Sequence, residues 1–445
     1  MGTDSLAAPA PPPPPPGAGG PRGARLRPLL TAGSFLAPAL LLLVVWVVYP
    51  TIWTIVRSFF DRAGDAFVGF DNYSEIFNND TLLKSITNNL IWVAVVPALV
   101  TAIGLLFAVL TERVGWGTAF KLVVFMPIAI SLFAAGISWR IMLDIDPERG
   151  AVNAAIGSVY DAVNAPGPLT GAQPSGRALD RSGGAIALRD PVQPGQSAAL
   201  GLTGIPATEV PASAVQAVKP PPLPDGISGV VWRDFKPGGG RPGVVEPDEV
   251  GLPGVTVELR GPEGSMTTTT ADDGTFAFEG LAAGDYRLGI GSDTFRKGFD
   301  GVEWLGSSLV TIACIIAYIW VWAGFAMVVI AAGLAALPRD LLEAARTDGA
   351  SEWQVFRRIT VPLLAPVLTV VFITMLINVL KVFDIVLAVA PASVQDDAAV
   401  IALSMWRVAF TGQSDFGLGS AISVLLFLLV VPILVLNIRR FRREG

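Results

Sequence analysis

Long apolar runs near 30–57, 86–110, 120–143, 306–335, 363–389 and 418–438 constrain this chain more than any other feature. A helix needs about 20 mostly apolar residues to cross the hydrocarbon core of a bilayer. Inside that core every backbone N–H and C=O must be satisfied within the segment or by a closed sheet. Runs of this length and composition therefore predict an all-α polytopic membrane protein with six transmembrane helices. With 52% hydrophobic and 15% charged residues among 445, the chain is too apolar for a soluble protein of several domains. The first run is expected to stay in place as a span. It continues past Pro50, and no small-residue cleavage pattern follows it.

The formal charge of -6 hides an uneven distribution, with acidic residues in the middle of the chain and arginines at both ends. No nucleic-acid partner is implied; membrane lipid is. Lys and Arg near the ends of short loops favour the cytoplasmic side. Arg22, Arg25, Arg27, Arg113, Lys121, Arg339, Arg346, Arg357, Arg358 and Arg439 to Arg443 fall on one side, against Arg62, Lys84 and Arg407 on the other. Both termini and the loop 337–362 are thus expected inside, with 144–305 extracytoplasmic. The tail 1–28, with prolines from Pro11 to Pro16, reads as a disordered cytoplasmic segment of polyproline character. A lone Cys314 in an apolar run and the absence of His exclude intrachain disulfides and His-based metal or acid/base chemistry.

Helices one to three are assigned to 29–160 and four to six to 293–445. Between them lies far more chain than an ordinary loop. Residues 161–224, rich in Pro, Gly, Ala and Ser, read as a flexible extracytoplasmic linker. Over 225–292 short alternating runs at 227–235, 255–260, 266–270, 275–279 and 286–290 predict an all-β sandwich. The stretches Gly229-Val230-Val231-Trp232-Arg233-Asp234, Gly251-Leu252-Pro253-Gly254-Val255 and Asp273-Gly274-Thr275-Phe276 resemble the B-type repeats of Gram-positive surface adhesins. That resemblance implies calcium at Asp234, Glu246 and Glu249. Lys236 and the run Gly238-Gly239-Gly240 replace much of the oxygen-ligand series calcium needs, so metal-free surface carboxylates are preferred there.

The loop 337–362 carries the most specific pattern. Pro338 can open a helix, Leu341, Leu342 and Ala345 and then Trp353, Phe356 and Ile359 recur at helical spacing, and Gly349 breaks the two apart. The result is a pair of short helices with polar residues free for a docking partner. Its sequence, Glu343-Ala344-Ala345, then Asp348-Gly349, then Ile359 and Pro362, resembles the EAA motif of ABC importer permeases. Phe67-Val68-Gly69-Phe70-Asp71-Asn72-Tyr73, Thr87-Asn88-Asn89 and Val382-Phe383-Asp384 are similar to the maltose, α-glucoside and glycerol-phosphate branch of that family. The resemblance implies the type I ABC importer permease fold and a role in sugar import. It makes Glu343, Ala344, Ala345, Asp348, Gly349, Ile359 and Pro362 the contacts to an ATPase. It also implies a second permease, two ATP-binding subunits and an extracytoplasmic sugar-binding protein. No G-x-x-x-x-G-K-[ST] phosphate loop occurs, so ATP and magnesium belong on the partner and the chain itself is not an enzyme.

Polar residues within the spans complete the candidate set. Counted from Pro362, Asn378 lies about 24 Å, Lys381 about 28 Å and Asp384 about 33 Å along the fifth span. Lys381 and Asp384, three apart on one helix face, read equally as interface anchors or as gate groups; Asn378 could face a sugar path. Two other classes fit the spans alone: an ion-coupled transporter or channel using Lys381 and Asp384, and a membrane-anchored adhesion or sensor protein acting through its β-module.

Overall fold

A computed structural model describes residues 35–112, 115–262 and 264–444. The proline-rich tail 1–28 with its arginines, and Arg113, lie outside the described residues. Two compact units emerge, Met1–Ile130 with Tyr318–Leu387 and Gln395–Gly445, and Ser131–Ala317 with Ala388–Val394.

Among the described residues, Phe35–Arg57, Asp80–Glu112, Val310–Ala335 and Glu352–Leu380 are each long and apolar enough to cross a membrane. Gly117–Ala129 and Leu132–Met142 make a fifth only if taken together. The apolar run 120–143 is therefore not one helix. Pro127 sits in a 3-10 turn, and Ser131, in extended conformation, starts a new helix by accepting a hydrogen bond from Ala134 N at 3.2 Å. The run 363–389 is also interrupted, because the helix Val361–Leu380 stops at Lys381 and Asp384–Val389 begins afresh. Phe416–Glu444 is helical, with an apolar stretch, Phe416–Pro432, shorter than a full span.

In the first unit the helix Asp80–Glu112 packs along Val361–Leu380. Small residues allow close approach elsewhere on it: a Cβ on Gly104 would stand 2.5 Å from the Ala326 Cβ. Trp92 meets Tyr318 edge-on, their rings 5.4 Å apart and both side chains buried.

Among the described residues the second unit holds ten strands: β1 (Gln173–Pro174), β2 (Leu179–Ser182), β3 (Ala185–Leu188), β4 (Ser197–Thr203), β5 (Gly226–Arg233), β6 (Val250–Gly251), β7 (Thr256–Gly261), β8 (Gly264–Thr269), β9 (Thr275–Glu279) and β10 (Arg287–Ile290). One sheet runs β1-β4-β5-β6 with β9 also on β5; the other runs β2-β3-β10-β7-β8. Residues alternate inward along the strands, so Leu200, Leu202, Ile227, Val231, Val257, Leu259, Leu288 and Ile290 share one core. Trp232 points the other way, into a smaller cluster with Ala217 and Val230.

Residues 161–224 are not the expected flexible linker. They hold the end of the helix Ala151–Val163 and strands β1 to β4, and they send Leu179, Ile186, Ala198, Leu200 and Leu202 into the common core. The reason is remote pairing. β2 and β3 pair locally across Gly183-Gly184, but β4 runs parallel to β5 and β3 also runs antiparallel to β10, so the partners that join them to the sheets lie well away in sequence. At the base of the unit, the fully buried Asn153 ties the chain before the sheets to the chain after them. Its Nδ2 reaches Asp144 O at 2.7 Å and Val302 O at 3.0 Å, and its Oδ1 accepts from Val302 N at 2.9 Å and Trp304 Nε1 at 3.2 Å.

Candidate functional site: the arm between two apolar helices

The segment after Pro338 forms the helix Arg339–Thr347, which ends at Asp348. Gly349 then adopts φ +84°, a left-handed conformation that glycine enters without steric cost, and beyond its chain neighbours nothing stands within 4 Å of where its Cβ would be. Asp348 N donates to Ala344 O at 2.9 Å and Ala350 N to Ala345 O at 3.0 Å, closing the helix end. The chain restarts at Ser351 through a capping box: Ser351 N donates to Gln354 Oε1 at 2.8 Å and Gln354 N to Ser351 Oγ at 3.4 Å.

The second helix does not stay short. Glu352–Val355 passes through a π-turn, Phe356–Thr360, and continues as Val361–Leu380. Proline at 362 lacks the N–H that a regular helix would donate to the carbonyl four residues back. The wider turn falls where that bond is missing. This part of the arm is thus built directly onto a long apolar helix.

Glu343, Ala344, Asp348 and Gly349 are exposed, Ala345 and Ile359 half-buried and Pro362 exposed. Leu341 and Trp353, two of the apolar residues at helical spacing, are 50% and 65% exposed. Trp353 stacks obliquely on Phe356 at 5.6 Å. Behind the arm lies a cavity of about 540 Å³, lined by Leu106, Leu110, Glu112, Leu334, Arg346 and Trp353 among others. Across the turn, Arg346 Nε lies 2.8 Å from Glu352 Oε1 and Arg346 Nη2 lies 3.4 Å from Glu352 Oε2. The hydrogen bond with Glu352, then the charges of Glu352, Glu343 and Glu112, holds the Arg346 guanidinium above its ordinary pKa.

The span candidates fare differently. Asn378 is half-buried and donates to Thr374 O at 3.0 Å, its own helix. Lys381 and Asp384 do not share a helix face. Lys381 caps one helix and Asp384 opens the next, both side chains exposed, because the chain leaves helical conformation between them.

The carboxylates near the Trp232 strand each meet the chain's own backbone. Asp234 Oδ2 accepts from Gly243 N at 2.6 Å, Glu246 Oε2 from Arg241 N at 3.1 Å, and Glu249 Oε2 from Glu246 N at 2.8 Å. One oxygen of each accepts from a backbone N–H, and Arg241 places a cation beside Glu246. Among the described residues no group of three or more His, Cys, Asp or Glu could hold a metal. Nor is Glu249 a surface group: it is 1% exposed, and burial, with Asp234 nearby, raises its pKa.

One polar cluster escaped the residue-level reading. Asn88 and Asn89 are buried, and their neighbour Asp397 is far away in sequence. Asn88 Nδ2 donates to Asp397 O at 2.8 Å and Ala399 O at 2.9 Å, Asn89 Oδ1 accepts from Ile401 N at 2.8 Å, and Lys84 pairs with Asp397. Two adjacent Asn residues in an apolar run were the available signal, since buried amides demand partners.

Comparison with known proteins bears on the whole arrangement. Residues 276–443 match the family described as binding-protein-dependent transport system inner membrane component, and residues 226–298 match the SdrD B-like domain. The chain is 29% identical to the alpha-glucoside transport system permease protein AglF of Rhizobium meliloti over 98% of its own length and 89% of that protein. It is 27% identical to the osmoprotective compounds uptake permease protein GgtC of Synechocystis over 92% and 98% of the two chains. The trehalose/maltose transport system permease protein MalF of Thermococcus litoralis is 40% identical over 150 residues, 33% of this chain and half of that one. A chain of a bacterial ABC transporter involved in alginate import shares the fold at TM-score 0.56 and 15% identity, covering 95% of this chain and 98% of its own. Residues 276–443 thus resemble the binding-protein-dependent transport system inner membrane components, and the chain is similar along nearly its whole length to permeases of such systems.

Proposed function

We propose that this chain is the transmembrane permease subunit of an ATP-driven importer for α-glucosides or related oligosaccharides. The sugar class is supported by similarity to an α-glucoside permease along nearly the whole chain. The mechanism is supported by one observation above all: Glu343, Ala344, Asp348 and Gly349 stand exposed on an arm continuous with the helix Glu352–Leu380. A small-residue surface of this kind admits a partner's backbone closely, and Glu343 offers a carboxylate to a basic group. Closure of a separate ATPase would move the arm and, through the helix, the bundle. Glu343, Ala344, Ala345, Asp348, Gly349, Ile359 and Pro362 form the coupling surface in this reading.

A second permease, two ATP-binding subunits and an extracytoplasmic sugar-binding protein complete the assembly. Six spans, with Phe416–Glu444 as the last, put both termini and the arm in the cytoplasm and 144–305 outside. Asn378, Lys381 and Asp384 would then lie toward the outer half of the path.

Uptake of labelled maltose, trehalose and sucrose in a strain deleted for this chain, with and without the restored gene, tests the sugar class. Gly349→Asp, which puts a side chain on a left-handed backbone and a charge on the coupling surface, should abolish uptake while the complex still co-purifies. Undiminished uptake by that variant would remove the arm from the mechanism. Uptake that persists without the ATPase would sink the importer reading altogether.

A further inference from the structure

We infer that Arg346 and Glu352 are positioning residues for energy coupling: their two-pronged ion pair locks the arm's two helices into one lever across the Gly349 turn. The inference rests on the coupling reading above. In a continuous α-helix, residues six apart are about 9 Å apart along the axis and about 120° apart around it, outside the i,i+3 and i,i+4 positions that face each other. Arg346 and Glu352 meet at 2.8 and 3.4 Å. They can do so only because the chain turns between them, so the pair stabilises the bent arm specifically.

The turn needs such a tie. Beyond its chain neighbours no heavy atom stands within 4 Å of a Cβ built on Gly349, and a cavity of about 540 Å³ lies behind the arm. Leu341 and Trp353 stay half or more exposed, so the arm is braced by little burial. The backbone bonds at Asp348 and Ala350 and the Ser351 capping box define where each helix ends and begins. The guanidinium fork adds a planar, directional link between the helix Arg339–Thr347 and the first turn of Glu352–Leu380. A push received at Glu343 and Gly349 then reaches the long helix instead of being absorbed at the turn.

The test uses the assembled complex in liposomes with its ATPase and binding protein, measuring labelled maltose (or trehalose, if the uptake panel selects it) taken up per ATP hydrolysed. Arg346→Ala and Glu352→Ala should each hydrolyse ATP normally but lower sugar per ATP about two- to fivefold, the scale of an exposed ion pair. Arg346→Lys, which keeps the charge and loses the fork, should fall between them and the parent. The exchange R346E with E352R should restore the ratio. If the alanine variants fail to assemble, the exchange decides: regained assembly and ratio support the lever, and failure to regain them overturns it. Wild-type ratios in both alanine variants, with Gly349→Asp inactive, overturn the inference and leave the coupling reading standing. Wild-type ratios in all three overturn both.

Discussion

The arm and the sheets achieve order by opposite means. The sheets bury a continuous core, in which Leu200, Ile227, Leu259 and Leu288 are fully enclosed, and each strand is held by neighbours on at least one side. In the arm from Arg339 to Thr360 only Val355 and Thr360 are buried, and shape comes from a left-handed glycine, a capping box and an ion pair. Burial on the sheet scale is worth several kcal/mol per large side chain, whereas each of the arm's devices is worth about 1 kcal/mol or less. A segment that must offer its surface to a partner cannot also bury it, so directional local bonds replace packing there.

Three substitutions sharpen or break that contrast. Trp232→Ala, which empties a fully enclosed site beside Ala217 and Val230, should cost about 3–5 kcal/mol and unfold the sheets at a lower temperature, read by calorimetry on the detergent-solubilised chain. A loss below about 1 kcal/mol would mean that packing does not dominate in this unit. Ser351→Ala should cost only about 1 kcal/mol, and only locally, seen as roughly fivefold faster amide exchange around Gln354 with no change in global melting. A global shift would show the arm to be more deeply integrated than its exposure suggests.

The smallest effect is expected at Glu249, and it has a sign. Burial raises this carboxyl above its ordinary value of 4.5, so the folded chain holds the proton more tightly than the unfolded one. Stability is then greatest below that value and declines as pH rises through the raised one. Glu249→Gln keeps an acceptor for Glu246 N and cannot ionise. It should raise stability at neutral pH by about 1 kcal/mol or less and flatten this part of the pH profile. A variant less stable at neutral pH would show that the ionised carboxylate is worth more than its burial costs.

Legibility followed the range of the interactions. Gly349, Ser351 with Gln354, and the alternation of β7 and β9 act within a few residues and can be read directly from the string. Strand β4 could not, because Ser197–Thr203 is a strand by virtue of β5 and β1, whereas β2 and β3 form a local hairpin over Gly183-Gly184 whose short-range signal the linker reading missed. Lys381 and Asp384 misled for a related reason: apolar residues flank them on both sides, and only the backbone reveals that a helix ends at the first and another begins at the second.

By itself the sequence determined the apolar spans of this protein and the helix-breaking glycine of its arm, and its EAA pattern carries the resemblance to ABC importer permeases. Those depend on residue type and short spacing. The tertiary structure alone decided that the Pro- and Gly-rich stretch is part of a folded unit and that Glu249 is buried. It alone brought Arg346 to Glu352 and Asn88 to a loop more than 300 residues away. Each of these is a meeting of groups whose separation along the chain says nothing about their separation in space, and such meetings exist only once the chain has closed on itself.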